Sequence, residues 1–82
     1  MGNTKNQLTN PAIGIRAHEA IRKMAYDRDT TIKAECDRLG CSTTNFEQWG
    51  RGCAPSSPWL ELMALAGYDV MWILLGGEKN EN

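Results

Sequence analysis

Apolar residues recur along this chain in short bursts with helical spacing. Ile13, Ala17, Ala20, Ile21 and Met24 follow one another at three- and four-residue steps, so one face of a helix is apolar. Asn10-Pro11 ahead of them reads as an N-cap with proline at the first helical position, and the run ends near Asp27-Arg28-Asp29. Thr30 or Thr31 can cap a second, shorter helix in which Ile32, Cys36 and Leu39 share a face. Gly40 stops it, where a positive φ is needed. Ser42 can cap a third helix with Phe46 and Trp49 on one side and Thr43, Thr44, Glu47 and Gln48 on the others, ended by Gly50-Arg51-Gly52. Ser57-Pro58 repeats the cap-plus-proline signature. It opens a helix carrying Trp59, Leu60, Leu62, Met63, Leu65 and Ala66 that stops at Gly67. Asp69 caps a last helix, Val70 to Leu75, closed by Gly76-Gly77. No stretch alternates with period two. The expected fold is all-α, five short helices in a compact bundle, with Phe46, Trp49, Leu60, Leu62 and Met63 in its core.

The 82 residues make one domain, expected over 10–78, with a loose polar arm at 1–9 and a polar tail at 79–82. A chain this short buries only about 60% of the surface its unfolded form exposes, which favours short helices, a shared interface or both. Six successive apolar residues from Val70 to Leu75 cannot all face one small core. The exposed strip among them, Val70, Met71, Trp72, Ile73 and Leu75, is the expected homodimer interface. That run is far short of the roughly 20 residues a membrane span needs, so no membrane partner is expected. The polar first six residues carry no secretory signal, so a cytoplasmic location is expected.

Three cysteines, an odd number with no C-x-x-C pair, argue against a disulfide framework. With His18 as the single histidine, no zinc spacing is legible and no metal is expected. Cys36 and Cys41 read as small buried hydrophobes. No nucleophile–base pairing and no phosphate-binding glycine loop is legible, so neither an enzyme nor a cofactor is expected. Net charge is −1, but up to Cys53 eight basic residues face six acidic ones, whereas from Ala54 onward one faces four. The balance alone does not announce a nucleic-acid binder; the arrangement of residues has to.

That arrangement centres on Ile32 to Arg51: a short helix, a glycine, a three-residue turn and a second helix. Helices joined so tightly leave room only for small side chains in the corner. Cys36 supplies one, and Cys41, Phe46 and Trp49 would fill the wedge. The segment Arg38-Leu39-Gly40-Cys41-Ser42-Thr43-Thr44-Asn45-Phe46-Glu47-Gln48-Trp49-Gly50-Arg51-Gly52 resembles the helix-turn-helix of phage repressor/Cro-like (XRE-type) DNA-binding domains. The stretch from Pro55 to Gly77, with its Trp72-Ile73-Leu74-Leu75-Gly76 ending, is similar to that family's closing two helices. The resemblance implies a lambda-repressor-like five-helix fold, binding to double-stranded operator DNA and dimerisation. It places Ser42, Thr43, Thr44, Asn45, Glu47 and Gln48 at or beside base-reading positions. Gln48 would pair with adenine, Glu47 would accept from cytosine N4, and the threonines would touch a thymine methyl or a phosphate. Thr31, Lys33 and Arg51 fall where backbone phosphates are met.

Three positions depart from the family pattern. Ile32 stands where a phosphate-contacting Gln is usual, Glu35 where an apolar residue faces the core, and Gly50 where a Glu pairs with an Arg of the first helix. The expectation is that Glu35 takes over that pairing with Arg16 or Arg22 while Ile32 packs. The reading helix also has no Lys or Arg and carries Glu47, so monomeric DNA binding should be modest. The leading expectation is a dimeric, sequence-specific transcriptional repressor of phage, prophage or mobile-element type. The alternative is an antitoxin or anti-repressor that uses the same helices to bind protein.

Overall fold

The computed structural model describes residues 11–76; the expected arm at 1–9, Asn10 and the end of the chain with the tail at 79–82 lie outside the described residues. Five helices follow in order: α1 (Pro11–Asp27), α2 (Ile32–Leu39), α3 (Thr43–Gly50), α4 (Ser57–Leu65) and α5 (Val70–Leu75). No strand occurs among the described residues. The fold is the expected all-α bundle. Only α1, at 17 residues, has a length at which a helix is even marginal alone; the other four depend on packing. α1 supplies most of that packing, lying against α3, α5 and α2, while α3 also meets α2 and α4 meets α5.

One core gathers residues from every helix: Ala17 and Ile21, Cys36 and Leu39, Phe46 and Trp49, Met63, Ile73, with Cys41 and Tyr68 from the turns. Ile32 packs partly buried against it, as its apolar character predicts. Leu62 does not belong there. It is 43% exposed, because Met63 takes the inward position of α4 and Leu62 faces the neighbouring side. Ile73 in turn is wholly buried, so it belongs to the core and not to an exposed strip.

The ends of the helices follow local chemistry. Of the two threonines before α2, Thr31 is the cap, accepting from the Ala34 N–H at 3.0 Å. At the other end Gly40 takes φ 82°, a left-handed conformation that suits glycine. Its N–H reaches the Cys36 and Asp37 carbonyls, and the Cys41 N–H also returns to the Cys36 carbonyl at 3.0 Å. Asp69 caps α5 through the Trp72 N–H at 3.0 Å. The expected cap of α4 shifts by one residue. Ser56 is the cap position, Ser57 is already helical and Pro58 follows it, because the Trp59 and Leu60 N–H groups both bond the Ser56 carbonyl. Proline is tolerated at either of the first two positions, since neither N–H has a partner within the helix.

Two glycines let α1 approach α3. A Cβ on Gly14 would stand 2.7 Å from the Trp49 carbonyl oxygen and press on that of Cys53. A Cβ on Gly50 would meet the His18 ring at 2.5 Å. That ring stacks on Phe46, centroids 4.1 Å apart and planes at 21°. The space left by the small residue at position 50 is thus filled by an imidazole from α1.

Glu35 is paired, but not with the expected arginines. Arg16 instead caps α5, its Nε donating to the Ile73 carbonyl at 2.8 Å and its Nη2 to that of Leu74 at 3.0 Å. Arg22 lies on the surface beside Glu19 at 3.9 Å. The Glu35 carboxylate, 1% exposed, has Arg28 and Arg38 each at 3.6 Å and accepts from the Tyr68 hydroxyl at 2.8 Å. Arg38 also donates to the Ala66 carbonyl at 3.3 Å. These bonds tie α2 to the turn between α4 and α5.

Candidate nucleic-acid interface

The residues around α3 separate cleanly into inward and outward sets. Phe46 and Trp49, three apart, are buried; the Trp49 ring also meets Trp59 edge-on at 6.0 Å. Ser42, Thr43, Thr44, Glu47, Gln48 and Arg51 are exposed, and Asn45 is half-buried. The helix is held in this rotation by its apolar side, since turning it outward would strip Trp49 and Phe46 from the core.

Two of the sequence-predicted readers are committed to the helix itself. The Ser42 hydroxyl accepts from the Asn45 N–H at 3.1 Å, and the Asn45 Oδ1 accepts from both the Ser42 N–H and its hydroxyl, each at 3.1 Å. This reciprocal cap fixes the start of α3. Serine followed three residues later by a hydrogen-bonding side chain is the sequence signal for it. Among the described residues, the side chains of Thr43, Thr44, Glu47 and Gln48 make no hydrogen bond, and these four form the free outward face.

The positions expected at phosphates differ in their freedom. The Thr31 hydroxyl oxygen is taken up by its cap. Lys33 is exposed but paired with Asp37 at 3.2 Å, on the same face of α2. Arg51, just past α3, has no ion-pair partner among the described residues and is exposed. Its N–H bonds the Glu47 and Gln48 carbonyls, which ends α3. The surface therefore offers one free guanidinium, one partly neutralised ammonium and the Glu47 carboxylate.

The exposed apolar residues lie elsewhere. Met71 and Leu75 of α5 are 64% and 71% exposed, and Leu62 and Leu65 of α4 are also exposed. Val70 and Trp72 are half-buried, with Trp72 turned into an open groove of about 500 Å³ shared with Ala20, Met24 and Tyr68. The sequence pattern puts the strip on α5 alone and Leu62 in the core, because six apolar positions crowd α4 and leave its inward face undefined. Among the described residues no helix is long and apolar enough to cross a membrane, and no group of three or more His, Cys, Asp or Glu could hold a metal ion.

Burial changes the acid–base behaviour behind this surface. It pushes the Cys41 thiol up from 9.0 to about 12, and the Cys36 thiol up as well. The Tyr68 phenol is raised above 10.0, first by burial and then by its bond to Glu35. A folded chain that holds these protons more tightly than the unfolded one is stabilised below the unfolded values, and the advantage is lost as pH rises through the folded ones. Thermal stability should therefore fall from about pH 9 upward, with Cys41→Ala flattening the first part of the fall. A melting temperature that rises between pH 9 and 10 would contradict the assignment.

No family model, curated protein or solved structure matches the chain.

Proposed function

We propose that the chain is a sequence-specific DNA-binding regulator that inserts α3 of its helix-turn-helix into the major groove and binds as a dimer. The observation that supports this reading is the outward face of α3, where Thr43, Thr44, Glu47 and Gln48 stand exposed beside Arg51 while Phe46 and Trp49 anchor the helix from behind. Short polar side chains on an exposed helix of this length suit base edges. The resemblance to phage repressor/Cro-like domains points the same way, with repression as the expected outcome.

Gln48 carries the base-reading part. Gln48→Ala is expected to weaken binding by about 2 kcal/mol on the preferred sequence and to leave unrelated duplexes unaffected. Equal weakening on every duplex would remove Gln48 from the readers. With one free guanidinium at the surface, the dependence of affinity on salt should be shallow for a single domain and steeper for a pair.

The pairing surface is the exposed Met71 and Leu75 of the apolar strip with the half-buried Val70 and Trp72, extended by the exposed Leu62 and Leu65 of α4. Leu75→Asp is expected to convert a dimer to a monomer in sedimentation with little change in melting temperature, since the side chain already faces solvent. An unchanged sedimentation coefficient would dismiss this surface.

The same exposed apolar residues, together with Glu47 and the absence of Lys or Arg from α3, favour a second reading: an antitoxin or anti-repressor that binds another protein. Stable co-purification with a neighbour-encoded protein and no shift of any duplex would favour it over the first.

A further inference from the structure

The open groove of about 500 Å³ between α1 and α5 shares no residue with the outward face of α3. α1 lines it with Ala20 and Met24, four residues apart and therefore on one stripe of that helix. Tyr68, from the turn before α5, and Trp72 of α5 line it from the other element. Three charged side chains stand at its exposed rim. Lys23 and Asp27 of α1 pair at 3.2 Å, and Asp69 is fixed at the α5 side because it caps that helix through the Trp72 N–H at 3.0 Å. Two carboxylates against one ammonium leave the rim with one net negative charge.

We propose that this groove binds a small organic cation built on a flat aromatic ring system, with the rings against Met24, Tyr68 and Trp72 and the positive charge at the rim beside Asp27 and Asp69. The walls select the ring. An indole, a phenol and a thioether all make favourable contacts with aromatic rings, and the two aromatic side chains attract a cation as well. The rim selects the sign of the charge. A metal ion does not suit it, because hard cations need six or more oxygens, and no group of three or more His, Cys, Asp or Glu gathers among the described residues.

Size and magnitude set the class further. A closed apolar cavity of about 150 Å³ holds one benzene ring, so this larger, open groove takes two fused rings with a short amine arm. Most of the affinity comes from covering the apolar walls, because the charges at the rim are exposed. A unit charge about 4 Å from another in water changes binding by only about fivefold, and salt screens it. Charge therefore decides between ligands of one shape. Of the groove's lining residues, Trp72 also belongs to the pairing surface proposed above, so a second copy is the competing occupant.

The experiment titrates the full-length protein, without DNA, with tryptamine, tryptophol and indole-3-propionate at pH 7. These carry one ring system with a positive, no and a negative charge, and amide chemical shifts follow their binding. Shifts centred on Met24, Tyr68 and Trp72 are expected, with tryptamine bound about fivefold more tightly than tryptophol at low salt and indole-3-propionate weakest. Asp27→Asn combined with Asp69→Asn leaves Lys23 as the one charge at the rim, so the order should reverse while tryptophol is unaffected; asparagine still caps α5. Ala20→Leu, which fills the groove from α1, should weaken all three about tenfold or more. The paired asparagine variant decides the matter even where Ala20→Leu fails to fold. Shifts centred elsewhere, equal affinities for the three probes, or an order that the asparagines leave unaltered would overturn the site. Tryptamine affinity that falls as the protein concentration is raised would give the groove to a second copy and overturn it too. None of these readouts uses duplex DNA, so the site stands or falls separately from the function proposed above.

Discussion

Glu35→Ala is expected to lower stability by about 3 kcal/mol. The carboxylate is 1% exposed and holds three partners at once: Arg28 and Arg38 at 3.6 Å and the Tyr68 hydroxyl at 2.8 Å. Removing it leaves a buried hydroxyl without its acceptor and two guanidiniums facing each other. The arginines are about 40% exposed and recover part of their hydration, which keeps the loss toward the lower end of the usual range for breaking a buried pair. For a domain of this size about 3 kcal/mol corresponds to a drop in melting temperature on the order of 15 °C. Glu35→Gln should cost less, because the amide oxygen can still accept from Tyr68. Tyr68→Phe should cost least, on the order of 1 kcal/mol, since one neutral donor is lost and the charges stay paired. Breaking the network also differs from replacing it. Glu35→Met combined with Tyr68→Phe should recover much of the Glu35→Ala loss, because both buried polar atoms are then gone. Melting curves of the four variants check this order, and a Glu35→Ala protein as stable as the parent would contradict the network.

Gly14→Ala is the second large effect, and its sign runs against helix propensity. In an exposed helix interior this substitution gains about 1 kcal/mol. Here the added methyl would press on the carbonyl oxygens of Trp49, at 2.7 Å, and of Cys53. Both atoms are backbone, so neither can turn aside without moving the end of α3. A net loss of about 3 kcal/mol is expected, at the upper end of overpacking costs. Gly50→Ala provides the comparison. Its methyl would meet the His18 ring at 2.5 Å, a side chain that can rotate off Phe46, so the loss should be smaller. Urea unfolding of the two variants separates these cases; equal losses would mean that α1 and α3 do not approach as closely as the carbonyl contacts require.

Much of the fold is legible in the residues because its punctuation is local. Thr31, Ser42 and Asp69 act within three residues of themselves, and Gly40 is read from the φ that the end of α2 demands. The outward set on α3 is legible for the same reason, since Phe46 and Trp49 fix its rotation. What escapes the sequence depends on where distant elements meet. The partners of Glu35 include Tyr68, 33 residues away, and nothing in the local pattern separates Arg28 and Arg38 from Arg16 and Arg22. Gly14 looks like a weak point in a helix until Trp49 and Cys53 are packed on it. Ile73 and Leu62 were misassigned because α4 and α5 are apolar on nearly every side, and a pattern without contrast does not say which face is inside.

The central claim is that the exposed side of α3 reads base pairs, and selection from random duplex DNA tests it most directly. The account predicts an enriched, two-fold symmetric sequence whose half-sites lie one helical turn apart, with the preference weakened at one position by Gln48→Ala. Recovery of no enriched sequence by the parent protein, at low salt and at concentrations where it is dimeric, would contradict it.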